Sequence, residues 1–177
     1  MGKKVITFGL SERDIGRAIR DLEQYKKDIL RKTELLRKRV AERVKELAQS
    51  GFNGAIVDDI VSLNGSPVQA DVEVSVDERG SVSVVVASGE DAVWVEFGAG
   101  VYYNGTAGSS PHPHGAENNF IIGGYGKGHG KQRAWYFKDD ETQEVFKTRG
   151  TPAKMPMSNA MTVVCNEIMQ IAKEVFS

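Results

Sequence analysis

The sequence predicts an α+β fold: a mostly antiparallel sheet with a long N-terminal helix and a C-terminal amphipathic helix packed on it. Three observations carry that expectation. Ile15, Leu22, Ile29 and Leu36 recur at sevens, with Ile19, Val40, Val44 and Leu47 on the same side, as on a helix with one apolar face. Val68, Ala70, Val72, Val74 and Val76 alternate with Gln69, Asp71, Glu73 and Ser75, the period of a half-buried strand. Met157, Met161, Val164, Ile168, Ile171 and Val175 return to spacings of three and four, a second amphipathic helix.

Taken in order, residues 3–8 read as a short strand or an extended arm. Ser11 is placed to cap a helix, with Asp14 three residues on and Glu12 in the first turn. From there to Gln49 the chain has no proline, one early glycine, and many good helix formers. Ser50-Gly51 predicts the stop, with Gly51 in the left-handed C′ position. A continuous helix of that length spans ~60 Å, about twice the diameter of a small domain. It either breaks near residues 25–28 or projects its end to touch something else. Lys26 and Thr33 fall at coiled-coil seam positions, which argues against a long zipper.

Residues 55–61 fit either regular structure. The strand over 68–76 meets turn chemistry in Asp77-Glu78-Arg79-Gly80 and returns through Ser81-Val82-Ser83-Val84-Val85-Val86, a hairpin. Residues 92–97 suit a strand or a short buried helix, and the propensity of Val and Trp favours the strand. Ten glycines then fall within the 33 residues from Gly98 to Gly130; a loop so long is functional or disordered. Trp135-Tyr136-Phe137 and Glu144-Val145-Phe146-Lys147 read as two further strands around a polar turn. Pro156 suits the first turn of the last helix, where its missing N–H costs nothing.

The composition fits one soluble domain over residues 1–177, with a Gly-rich loop at 98–133. No apolar run approaches the ~20 residues of a membrane helix. The charged N-terminus has too short an apolar stretch for a signal peptide, and Ile6 removes the myristoylation pattern that Gly2 would open. A lone Cys165 excludes an internal disulfide and fits a reducing, cytoplasm-like compartment. The sequon Asn104-Gly105-Thr106 carries no meaning there. Charge is segregated: residues 11–50 carry a surplus of four positive charges, and residues 53–98 a surplus of eight negative ones. The two segments either neutralise each other within the monomer or orient one copy against another.

Motifs for chemistry are weak. His112, His114 and His129 lie in the Gly-rich loop near Glu117, but no H-E-x-x-H or C-x-x-C spacing accompanies them, so solvated loop histidines are expected. The glycines from Gly123 to Gly130 miss the phosphate-loop pattern in spacing and sequel. Tyr102, Tyr103, Phe120, Tyr125, Lys127, Lys131 and Arg133 are candidate contact residues, for a protein partner or, through stacking and charge, for nucleic acid. Ser109 and Ser110 lack a nucleophile elbow. Cys165 falls on the expected buried side of the last helix, as a small hydrophobe. Glu96, between Val95 and Phe97, is either an outward strand residue or a buried carboxylate that requires an Arg or backbone N–H partner. A structural role is expected. No cofactor, metal or catalytic residue is assigned, and no enzyme activity is expected.

Ala92-Val93-Trp94-Val95-Glu96-Phe97-Gly98 and Ala153-Lys154-Met155-Pro156-Met157-Ser158-Asn159-Ala160 resemble two short motifs of the phage tail-component family. Gly54-Ala55-Ile56-Val57-Asp58-Asp59-Ile60 is a partial match to a third. Met157 stands where the family usually has Phe, the Thr and Ser of the middle motif are absent, and the loop after Gly98 is long. The resemblance implies a structural role for Trp94, Glu96, Phe97, Gly98, Pro156 and Met157. It further implies a virion protein of the neck or upper tail, assembled in the host cytoplasm, which completes the tail and joins it to the head. Its partners would be copies of itself, in a ring of sixfold symmetry, and other neck and tail proteins. DNA would be met only incidentally in the channel, with no membrane or small-molecule substrate. Two other readings stand beside it: a tail terminator capping the tube, and a metal- or nucleic-acid-binding phage protein using the histidine loop.

Overall fold

The computed structural model describes residues 7–62, 67–100, 110–115, 117, 135–138, 142–148 and 150–177, and its architecture is α+β. The elements run α1 (Glu12–Asn53), β1 (Ile56–Ser62), β2 (Pro67–Gln69), β3 (Glu73–Arg79), β4 (Val82–Ser88) and α2 (Ala92–Phe97). After them come β5 (Ala99–Gly100), β6 (Trp135–Lys138), β7 (Val145–Thr148), β8 (Gly150–Thr151) and α3 (Pro156–Phe176).

Ser11 caps α1 as its sequence predicts. Its backbone is extended, and its hydroxyl accepts the Asp14 N–H at 3.2 Å and donates to the Asp14 carboxylate at 2.6 Å. The helix does not break near residues 25–28. It runs unbroken for 42 residues, a rod of ~63 Å at 1.5 Å per residue. Nor does it stop at Gly51: the cap is Gly54, in a right-handed conformation with φ −83°. Gly51 has a different task. A Cβ built there would lie 2.7 Å from Cβ of Pro156, so the missing side chain is what lets the start of α3 rest on α1.

From that contact α3 runs back antiparallel along α1. Arg43 donates to Glu167 at 2.9 and 3.2 Å, and Lys32 Nζ meets the Ser177 carbonyl at 3.2 Å. The predicted apolar stripe of α3 is buried along one edge and exposed along the other. Val164 and Val175 are buried, joined by Pro156 and Ala160, whereas Met161 and Ile168 stay 51% and 41% exposed. Cys165 is exposed too, not buried as the sequence suggested. At 100° per residue the six positions span only about 80°; Met161 and Ile168 lie at one edge, and the buried side is turned towards Pro156 and Ala160 at the other.

Among the described residues the β structure forms three antiparallel sheets, not one. The predicted strand over 68–76 is two strands: β2 joins the four-stranded sheet β2-β1-β7-β6, while β3 pairs, among the described residues, with β4 alone. Alternation continues across the join, so the period alone hides the change of sheet. Arg79 pairs with Val82, which narrows the turn to Gly80-Ser81, with Gly80 at φ +60°, as a two-residue hairpin requires. Gln49 on α1 serves as a partner for the edge of β3. Its amide donates to the Val72 carbonyl at 2.9 Å and accepts the Val74 N–H at 2.7 Å. The short β5–β8 ladder joins Ala99-Gly100 to Gly150-Thr151.

The core gathers one apolar side from each of four elements. Val44, Ala48 and Phe52 of α1 meet Val74 of the hairpin, Val95 of α2, and Ala160 and Val164 of α3. Phe52 and Val95 are the largest side chains fully enclosed, each worth roughly 1.5–3 kcal/mol of burial. One ion pair among the described residues joins the basic segment to the acidic one. Arg37 of α1 reaches Glu78 of the hairpin at 2.6 Å, and Arg43 is taken by Glu167 of α3.

Two outcomes follow from these contacts. Helix propensity alone would make Gly51→Ala stabilising by about 0.5–1 kcal/mol. The close approach of Pro156 reverses the sign, and thermal denaturation should find the variant less stable by about 1–3 kcal/mol. The second concerns acid. The Ser83 hydroxyl holds the Glu78 carboxyl below its ordinary 4.5, and the hydrogen bond from Arg43 does the same for Glu167. Depressed carboxyl values contribute stability above the unfolded value and lose it as pH falls through the folded one. Stability measured by urea titration should therefore decline below about pH 4.5, with a flatter profile for Glu167→Gln.

Candidate functional site

The residues that carry chemistry converge where α2 meets the start of α3. Residues 92–97 form a helix, against their strand propensity. Ala92, Val95 and Glu96 are the buried positions, at the i, i+3, i+4 spacing that only a helix puts on one side. Packing outweighs propensity in so short a run. Gly98 ends the helix at φ +81°, donating its N–H to the Trp94 carbonyl at 2.8 Å. A residue with a side chain is disfavoured in that conformation. The carbonyl of Val95 accepts the Lys154 N–H at 2.8 Å, so the segment leading into α3 is tied to α2 through the backbone.

Glu96 is the centre of the site. It is 7% exposed, and its carboxylate accepts the Met157 N–H at 2.8 Å and the Ser158 N–H at 3.0 Å. These are two of the four N–H groups that the first turn of any helix leaves without an internal partner. The residue that would normally cap α3, Met155, stands at φ 54° and offers no side-chain bond. A carboxylate from another element fills that role, and its negative charge sits against the positive end of the helix dipole. The predicted need for a partner is met by backbone N–H groups, as anticipated, and by a histidine in place of arginine.

That histidine is His112, 8% exposed and not the solvated loop residue its surroundings suggested. Its Nε2 lies 2.9 Å from Glu96 Oε1. Its Nδ1 accepts the His114 N–H at 3.0 Å, so Nδ1 carries no proton and Nε2 donates to the carboxylate. The ring packs on Phe97 at 4.2 Å between centroids. Ser110, also buried, donates its hydroxyl to the Phe97 carbonyl at 2.5 Å and accepts the His112 N–H at 3.2 Å. The segment 110–115 is thereby stapled to α2 and α3.

Ser110, His112 and Glu96 are the residue types of a nucleophilic triad, but their bonds run elsewhere. The serine proton is committed to a carbonyl, and neither imidazole nitrogen accepts from the serine hydroxyl. The carboxylate is spent on the helix end. No relay from hydroxyl to imidazole exists in this arrangement. His114 is exposed and pairs with Glu117 at 3.1 Å. Among the described residues no group of three or more His, Cys, Asp or Glu side chains could hold a metal ion.

Of the structural residues expected from the sequence, Glu96 meets Met157 at the start of α3 and Phe97 shares a groove wall with it, while Gly98 ends α2, Pro156 rests on Gly51 of α1, and Trp94 is half-buried on α2. The expected contact residues Tyr102, Tyr103, Phe120, Tyr125, Lys127, Lys131 and Arg133 lie outside the described residues, as does His129. Sequence reasoning missed Ser110 and His112 as members of the site. The available signal was Glu96 itself, a carboxylate in an apolar run that obliges some donor to come to it.

Beside this latch, the Glu96 carboxylate with the Met157 and Ser158 N–H groups and His112, runs a groove of about 790 Å³ between α2, the 110–115 segment and α3, with Val93, Phe97, Pro113, Met157, Met161 and Cys165 on its walls. Its surface is open on one side and largely apolar. Among the described residues no helix is long and apolar enough to cross a membrane.

The chain matches no protein-family model, no curated protein and no solved structure.

The latch should be measurable. Glu96→Ala leaves two N–H groups and an imidazole buried without an acceptor, and should cost roughly 2–4 kcal/mol in chemical denaturation. Hydrogen exchange at the Met157 and Ser158 amides should accelerate in the variant, whereas the amides of β3 and β4 should be slowed as in wild type until global unfolding intervenes.

Proposed function

We propose that this protein is a structural component of a phage neck or upper tail, completing the tail and joining it to the head through ring-like protein–protein assembly. The observation that supports this most is the Glu96 latch. The two segments that resemble the tail-component family, around residues 92–98 and 153–160, are far apart in sequence. They meet through one carboxylate that accepts the N–H groups of Met157 and Ser158. The shared motifs are thus two halves of one packing device, which suits a family whose members build scaffolds.

The histidine-loop alternative loses its main ligand candidate, since both ring nitrogens of His112 are engaged within the fold. Part of the charge split is matched inside the chain, where Arg37 meets Glu78. Assembly in this reading relies on apolar faces more than on a basic surface meeting an acidic one.

Electron microscopy of particles made with the gene deleted tests the proposal. Filled heads and separate tails are the expected outcome, rescued by the wild-type protein supplied in trans. Normal joined particles in the deletion would overturn it, and overlong tails would move the assignment to a terminator.

A further inference from the structure

We propose that the outer edge of β4 is a strand-addition site, filled by the N-terminal arm of a second copy of this chain. The proposal deepens the assembly reading above and takes its setting from it. On β3, Gln49 takes the Val74 N–H at 2.7 Å and the Val72 carbonyl at 2.9 Å, so these groups point away from β4. Val74 is level with Ala87, and antiparallel pairs alternate between hydrogen-bonded and non-bonded. The N–H and C=O groups of Ser83, Val85 and Ala87 therefore face outward, and among the described residues they have no backbone partner. Native edges are blunted by charge, proline or a bulge. β4 has none of these: Val82-Ser83-Val84-Val85-Val86-Ala87-Ser88 carries no charge or proline, and its seven pairs with β3 keep one register. Ala87 also lines the groove, together with Val93 of α2 and Met161 and Cys165 of α3. An edge strand beside an apolar, helix-walled groove fits an extended peptide, whose backbone bonds the edge while alternate side chains enter the groove.

The arm that precedes α1 has the matching character. Phe8 and Leu10 are 58% and 92% exposed, and in an extended chain they fall on one side, with Thr7 and Gly9 on the other. Lys3 and Lys4 come before them, with no acid ahead of Glu12, whereas the segment containing β4 carries a surplus of eight negative charges. Opposite charge favours this arm over a second acidic hairpin at the same edge. The arm cannot fill the edge of its own chain. Phe8 lies within ~11 Å of Ser11 even when the chain between them is fully extended. The near end of β4 meets α1 at Arg37, which donates to the Ser83 hydroxyl at 2.8 Å. Arg37 stands ~39 Å from Ser11 along an unbroken helix, and β4 runs on from there towards Phe52 and the groove. A contact between unlike surfaces at the two ends of one rigid rod is heterologous, and it propagates into a ring or a filament. One short added strand is a weak contact, and ring closure supplies the stability that it lacks.

The full chain tests the contact by sedimentation velocity and amide hydrogen exchange over a range of concentrations. A photoreactive benzoylphenylalanine in place of Phe8, in a mixture of isotope-labelled and unlabelled chains, maps where the arm lies. Wild type should self-associate, with exchange at the Ser83, Val85 and Ala87 amides slowing as concentration rises. F8E/L10E should weaken association at least tenfold and abolish that slowing, with its melting curve unchanged. Crosslinks should join labelled to unlabelled chains, from position 8 to β4 or to the α3 wall of the groove. A strictly monomeric wild type overturns the proposal and leaves the edge to a different partner. So do crosslinks confined to a single copy, F8E/L10E associating like wild type, or the three amides exchanging alike at every concentration. If wild type is monomeric yet the gene deletion still separates heads from tails, only the arm contact fails. If the arm contact forms while particles join without the protein, only the assembly reading fails.

Discussion

The start of α3 depends on one buried negative charge. Taking a carboxylate out of water is costly unless hydrogen bonds replace its hydration, and Glu96 finds three donors within 3.0 Å. Two are the unpaired N–H groups of a helix end, which carry their own desolvation cost when buried. Each side removes the other's penalty. The same carboxylate draws in His112, so the middle of a long glycine-rich stretch is fixed to the two helices that the rest of the core packs against.

Around that point α1 acts as a spine. Its C-terminal half carries Ala48 and Phe52 at 0% and 1% exposure, its Gln49 amide completes the edge of β3, and its Gly51 gives α3 a seat. Three different chemistries on one turn and a half of helix hold three elements. The N-terminal half of α1 has the same apolar face and, among the described residues, lies beyond the end of α3. A helix of this length keeps its form through backbone hydrogen bonds, but its apolar face gains free energy only when another surface meets it.

Ionic contacts contribute little to this architecture by comparison. The pairs from Arg37 and Arg43 join α1 to the hairpin and to α3, but the partners are substantially exposed, and such pairs are worth little in water. Their value lies in register: each fixes how far one element slides along another.

The sequence by itself determined the elements whose signal is a period: α1 from Ile15 onward, the β3–β4 hairpin, and α3 behind Pro156. It also located the two motifs and the odd carboxylate between Val95 and Phe97. Periodicity is local, since it depends only on how often one side of a helix or strand comes round. Tertiary structure decided whatever turns on what lies opposite. Gly51 reads as a helix stop until Pro156 is seen against it, and residues 92–97 suit a strand as well as a short helix until Val95 and Glu96 are buried together. The strand over 68–76 is one strand until its two ends join different sheets. His112 and Glu96 lie 16 residues apart, with no spacing rule to link them. Their pairing came from the cost of burying a charge without donors, and only the folded chain could supply those donors.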